Sequence, residues 1–130
     1  FIDDIYNLVN ALKRQSELIF IREKDYIQNP KPNGYRSFHV IIAVPVYYLD
    51  TMEYFPVEIQ LRTMTMDLWA SMEHRVCYKK LPEHRDELAE AFCQYADILG
   101  KIEEQFEAYN ETGMLEEITP AQITENPPEG

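Results

Sequence analysis

Three absences narrow what this chain can be. There are two cysteines, Cys77 and Cys93. Both sit inside helical patterns with no metal-ligand spacing, so reduced, buried thiols are expected, which fits a reducing compartment. No apolar run approaches the roughly 20 residues that cross a bilayer, and no signal peptide is visible, so the reading is cytoplasmic with no membrane partner. Basic residues are scarce: 12 Lys+Arg stand against 23 Asp+Glu, a net charge of −11. That balance excludes the basic footprint of a nucleic-acid-binding domain. An initiator Met is also missing, and the chain opens on Phe1 already inside an amphipathic pattern, which reads as a fragment. Its 130 residues, 45% hydrophobic, leave room for one core and one domain.

The negative excess is not evenly spread. Residues 1–82 carry ten Lys/Arg and ten Asp/Glu, and residues 83–130 carry two and thirteen. The first part is free to build a local positive site, and Arg22, Lys24, Lys31 and Arg36 cluster there. Within it, Asn-Pro-Lys-Pro-Asn-Gly-Tyr-Arg-Ser-Phe-His (29–39) reads as a rigid cationic loop suited to a phosphorylated base. Pro30 and Pro32 fix φ, Asn33-Gly34 is a turn pair tolerant of positive φ, and Tyr35 is presented between Lys31 and Arg36. His39 follows on a strand.

Periodicity predicts a mixed α/β (α+β) domain. Ile2, Ile5, Leu8, Val9 and Leu12 mark a first helix, Leu18 to Arg22 a short strand, and 37–46 a buried strand. Residues 54–62 alternate, placing Glu58, Gln60 and Arg62 opposite Phe55, Val57, Ile59 and Leu61, with 47–53 as the connector. Thr63 or Thr65 caps the next helix, through Met66, Trp69, Met72 and Val76 to the Lys79-Lys80 end. Pro82 starts a long C-terminal helix reaching Tyr109, and from Glu111 the chain becomes an acidic, proline-containing tail. The Trp69, Met72 and Val76 stripe and the long helix read as core.

Glu58 is the candidate catalytic residue, because a strand-end carboxylate can hold a cation or accept a hydroxyl proton. Its plain alternative is a solvated carboxylate paired with Arg62. Tyr35 could equally be a turn aromatic resting on the core, and His39 a satisfied structural histidine. Asp67, Glu73 and His74 share one helix but are read as structural, not as a metal site.

The stretches KPNGYRSFH (31–39) and VEIQLRT (57–63) followed by MDLWASMEHR (66–75) together resemble the synthetase domain of the RelA/SpoT family, over roughly residues 1–80, in the version of the small stand-alone alarmone synthetases. The resemblance implies a nucleotidyltransferase-like synthetase fold, a small mixed β-sheet flanked by helices. It implies GTP pyrophosphokinase activity: transfer of the pyrophosphoryl group of ATP to the 3′-hydroxyl of GDP or GTP, giving ppGpp or pppGpp. Glu58 would hold Mg²⁺ and sit against that hydroxyl. Tyr35 would stack on the guanine, with Asn33 reading base or ribose. Lys24, Lys31 and His39 would contact the acceptor phosphates, and Gln60 and Ala70 would line the guanine pocket. Arg36 and Arg62 are runners-up for nucleotide binding, the alternative being that each only fixes the carboxylates around it. A homo-oligomer, typically a tetramer, is implied as well. Residues 1–110 would be the acceptor-nucleotide part of the domain, with the family's upstream half, carrying the partner aspartate and the ATP-holding basic residues, absent; the 130 residues alone are expected to be inactive. The competing readings are a non-catalytic guanine-nucleotide sensor and an oligomerising scaffold.

Overall fold

The computed structural model describes residues 1–78 and 82–112. The predicted helix end at Lys79-Lys80 and all but the first two residues of the predicted tail lie outside the described residues. Helix α1 (Ile2–Lys13) has Asp3 and Asp4 in its first turn and Lys13 in its last, matching the helix dipole. Its buried residues are Ile5 and Val9, four apart on one face.

Strands β1 (Ile19–Asp25), β2 (Phe38–Tyr48) and β3 (Thr51–Leu61) make one sheet in the order β1-β2-β3. The α/β class is the expected one, and the sheet, expected to be mixed, is antiparallel at both pairings among the described residues. The predicted connector over 47–53 is far shorter, because Tyr47 pairs with Met52 and Tyr48 with Thr51, leaving only Leu49 and Asp50 to turn. Leu49 takes φ 47°, a conformation usually signalled by Asn or Gly, and neither is present to announce the turn.

Alternation along β2 splits the molecule in two. Phe38, Val40 and Ile42 are buried against Ile5 and Val9 of α1 and Met66, with Ile59 and Leu61 of β3 packed alongside. His39 and Ile41 point to the other face. Phe55 and Val57 stay about 40% exposed, so the apolar half of the β3 alternation is covered only toward its C-terminal end.

Helix α2 (Met64–Cys77) is capped by Thr63, whose hydroxyl accepts from the Met66 N–H at 3.4 Å. After a 3₁₀ turn at Pro82–His84, α3 runs Arg85–Glu111. The two helices enclose a second cluster of Trp69, Phe92 and Ala96, where the Trp69 indole N–H donates to the Phe92 carbonyl at 2.7 Å. Of the predicted core stripe only Trp69 is buried; Met72 and Val76 are 49% and 39% exposed, because α3 covers one side of α2 only. Likewise Ile98, Ile102, Phe106 and Tyr109 of α3 are exposed, and Cys77 and Cys93 are half-buried.

Candidate functional site

The sheet face turned away from α1 carries two cross-strand rows. Lys24, His39 and Gln60 are in register across the three strands, and next to them Arg22, Ile41 and Glu58. Every second residue of a strand shares a face, so these rows put five polar side chains and Ile41 side by side. With Lys31 and Tyr26 they bound a cleft of about 180 Å³, lined by Arg22, Lys24, Lys31, His39 and Glu58 among others.

The loop closes over one end of this face. Pro32 and Asn33 occupy the middle of a turn in which the Gly34 N–H donates to the Lys31 carbonyl at 2.8 Å and the Lys31 N–H to the Tyr35 carbonyl at 3.1 Å. The Asn33 side-chain oxygen accepts from the Tyr35 N–H at 3.0 Å, an Asx turn. Gly34 has φ 99°, and a Cβ there would stand 2.9 Å from the Cys93 Cα and 3.0 Å from the Ala96 Cβ of α3. Only glycine fits both the backbone conformation and the approach, so Tyr35 is delivered by a loop seated on a helix.

Tyr35 is half-buried with its ring edges against Tyr26, His39 and Trp69, at centroid distances of 6.1, 6.0 and 6.2 Å. The two cations on it are Lys31, 5.1 Å from the ring centre, and Arg62, 5.4 Å away. Arg36, the neighbour expected in that role, turns the other way and pairs with Asp97 of α3 at 2.9 Å. It pins the loop from behind. Lys31 also lies 5.0 Å over the Tyr26 ring.

The Tyr35 hydroxyl accepts from an Arg62 Nη at 2.9 Å and lies 3.1 Å from His39 Nε2. The direction of the second bond follows from the imidazole tautomer: with the Nδ1 N–H facing Glu58, Nε2 carries the lone pair and accepts the hydroxyl proton. The other imidazole nitrogen, Nδ1, is 3.3 Å from Glu58 Oε1. Burial pushes the His39 pKa down, Glu58 opposes the shift, and Lys31, Arg62 and Lys24 add to it; the ring is neutral near pH 7, with its N–H at Nδ1 facing the carboxylate. Glu58 itself is half-exposed.

Of the predicted residues, Lys24, Lys31, His39 and Glu58 line the cleft, while Tyr35 and Gln60 join it through His39 and Arg62, whose Nη also donates to the Gln60 side-chain oxygen at 3.0 Å. Ala70 packs with Tyr35 on the Trp69 cluster. Asn33 spends its carbonyl on the turn and lines a separate cavity between α2 and α3, and Arg36 lines another with Gly100 and Trp69. Tyr26 is the addition that sequence does not single out. Its N–H donates to the Ser37 carbonyl at 2.9 Å, a loop closure with no motif to mark it.

A region found in RelA / SpoT proteins matches residues 1–83. The chain is 47% identical over 105 residues to the GTP pyrophosphokinase YwaC of Bacillus subtilis, covering 81% of this chain and 50% of that protein. It is 35% identical over 79 residues to the GTP pyrophosphokinase YjbM of the same organism, covering 61% and 37%. Among solved structures it superposes on small alarmone synthetase 2 of Bacillus subtilis with a TM-score of 0.78 and 43% identity, covering 86% of this chain and 62% of that one. Small alarmone synthetase 1 of that organism, bound to its product pppGpp, gives a TM-score of 0.77 at 26% identity, covering 88% and 59%. The chain thus spans half or less of the length of these two curated relatives.

Proposed function

The chain belongs to the RelA/SpoT family, and from that premise we propose that it forms the acceptor-nucleotide part, residues 1–110, of an enzyme that moves the pyrophosphoryl group of ATP onto the 3′-oxygen of GDP or GTP. One observation carries the reading: the Tyr35 hydroxyl and the Glu58 carboxylate meet the two nitrogens of a single imidazole, at 3.1 and 3.3 Å, on the rim of a cation-lined cleft. A base stacked on Tyr35 would gain about 1–3 kcal/mol and leave its ribose and phosphates toward Glu58 and the amines of Lys24 and Lys31. Glu58 would accept the proton of the attacking 3′-hydroxyl. Arg22, Lys24 and Lys31 would neutralise acceptor phosphates and hold the hydroxyl in line.

The residues fit a magnesium ion as part of a ligand set. Glu58 is a half-exposed carboxylate on the cleft, and Mg²⁺ is usually held by one or two carboxylates plus substrate phosphates. When bound, the ion would supply charge neutralisation on the transferred group. The ATP-holding residues are proposed to lie in the length of the relatives that this chain does not span. The apolar outer face of α3, Ile98, Ile102, Phe106 and Tyr109, supports self-association into an oligomer.

The deciding experiment incubates the full-length protein with ATP, GDP and Mg²⁺ and follows ppGpp and AMP by ion-exchange chromatography. Equal formation of both products is expected. Saturable GDP binding without product would reduce the protein to a sensor, and no binding at all to a scaffold.

A further inference from the structure

Arg62 sits just past the end of β3, immediately before the α2 cap, and its guanidinium reaches three partners at once. One Nη donates to the Tyr35 hydroxyl at 2.9 Å and to Gln60 Oε1 at 3.0 Å, and the other approaches Asp67 Oδ1 at 3.5 Å. The guanidinium carbon also lies 5.4 Å from the Tyr35 ring centre. This arrangement is retained at a cost, because Arg62 Nε is buried with no hydrogen-bond partner among the described residues. A buried unpaired donor is the kind of local penalty that folded proteins keep where a site needs it.

We propose that Arg62 is a positioning residue for the transfer reaction, acting through the Tyr35 hydroxyl to orient His39 against Glu58, and not an anion-binding cation. This rests on the reading of Tyr35 and Glu58 given above. Arg62 occupies one lone pair of the phenol oxygen and holds it in place, while the Tyr35 proton goes to the Nε2 lone pair that a Nδ1–H facing Glu58 leaves on His39. That bond fixes the rotation of the imidazole, so Nδ1 stays on Glu58 Oε1. The tyrosine thereby has two separable parts, a ring for the base and a hydroxyl for the alignment of the carboxylate. A lysine could not replace the arginine, since a single ammonium on a flexible stem does not present the planar fork that spans Tyr35, Gln60 and Asp67.

The test is a double-mutant cycle in the full-length protein with ATP and GDP, using Tyr35→Phe, Arg62→Gln, their combination, and Arg62→Lys. Tyr35→Phe keeps the ring and removes only the hydroxyl. Each single substitution is expected to lower kcat roughly 10- to 100-fold, the range for a hydrogen bond to a charged group. KM for GDP should stay within about threefold, the double variant should fall little below the worse single one, and Arg62→Lys should fail to recover kcat. Multiplying losses in the double variant, recovery by lysine, or a raised KM with unchanged kcat would each overturn the proposal. If the wild-type protein forms no product, the proposed function falls on its own. The same cycle on urea-unfolding free energy then decides about the Arg62–Tyr35 link: non-additive effects support it, and additive effects sink it.

Discussion

Tyr35 and Glu58, one on a loop and the other on an edge strand, hold opposite nitrogens of the same His39 ring. Neither touches the other, yet the imidazole between them makes the aromatic platform and the carboxylate parts of one site. The cross-strand row that brings His39 beside Lys24 and Gln60, and the next row that brings Glu58 beside Arg22, set the scale of that site at two pleats of the sheet.

Glu58→Gln removes the charge and keeps the shape. In the full-length protein it is expected to lower kcat for ppGpp formation by about 10²-fold or more, the usual contribution of a positioned base, while GDP affinity by equilibrium dialysis changes a few-fold at most. A variant that keeps a tenth of the wild-type rate would remove Glu58 from the chemistry.

Lys24 and Arg36 separate binding from scaffolding. Lys24→Met is expected to raise KM for GDP several-fold through loss of a cleft cation. Arg36→Gln and Asp97→Asn should leave KM alone and each lower unfolding free energy by about 1 kcal/mol, since the Asp97 end of their ion pair is open to solvent. A clear rise in KM for Arg36→Gln would place that side chain in the nucleotide site after all.

Gly34→Ala tests whether the loop is seated on α3. Positive φ alone costs a residue with a side chain about 1–2 kcal/mol, and the added Cβ would lie 2.9 Å from a helix backbone atom, which cannot yield as a side chain would. Thermal unfolding should shift down by several degrees, and GDP binding should weaken because Tyr35 rides on the same turn. An unchanged melting temperature would mean the loop does not pack there in solution.

Tyr6 provides a pH handle away from the site. Its hydroxyl donates to Asp25 at 2.6 Å, and burial, followed by that hydrogen bond and the carboxylate charge, raises its pKa to about 12. The folded value is above the unfolded value of 10.0, so the folded state favours the protonated phenol. That contribution is fully present below pH 10 and is lost as pH rises toward 12. Urea-unfolding free energies of wild type and Tyr6→Phe measured from pH 8 to 11.5 should differ most at pH 8 and converge with rising pH. A constant gap would show that the phenol titrates alike in both states.

The elements with strong local signals were legible in the sequence: α1 from Ile5 and Val9, β2 from its β-branched apolar run, α2 from a threonine cap, which the structure assigns to Thr63 over Thr65, and the length of α3. The two-residue turn at Leu49-Asp50 was not, because Asp50 alone is a weak turn signal and the pairing of Tyr48 with Thr51 decides it. Burial along α2 and α3 was overestimated for a related reason. Helical spacing marks which residues share a stripe, and Met72, Val76 and Ile98 show that it does not say whether another element arrives to cover them.

The candidate site divides in the same way. By itself the chain of amino acids dictated a stiff turn before Tyr35, an alternation that sets Glu58 and Gln60 on one side of a strand, and a pool of cations before residue 37, since each follows from φ preferences, the two-residue repeat or local charge. Which cation serves Tyr35 was decided only by the folded molecule. Arg36 is its neighbour along the backbone and leaves for Asp97, whereas Arg62 arrives from the far end of β3, because α3 draws one guanidinium behind the loop and the antiparallel register lays the other across the ring.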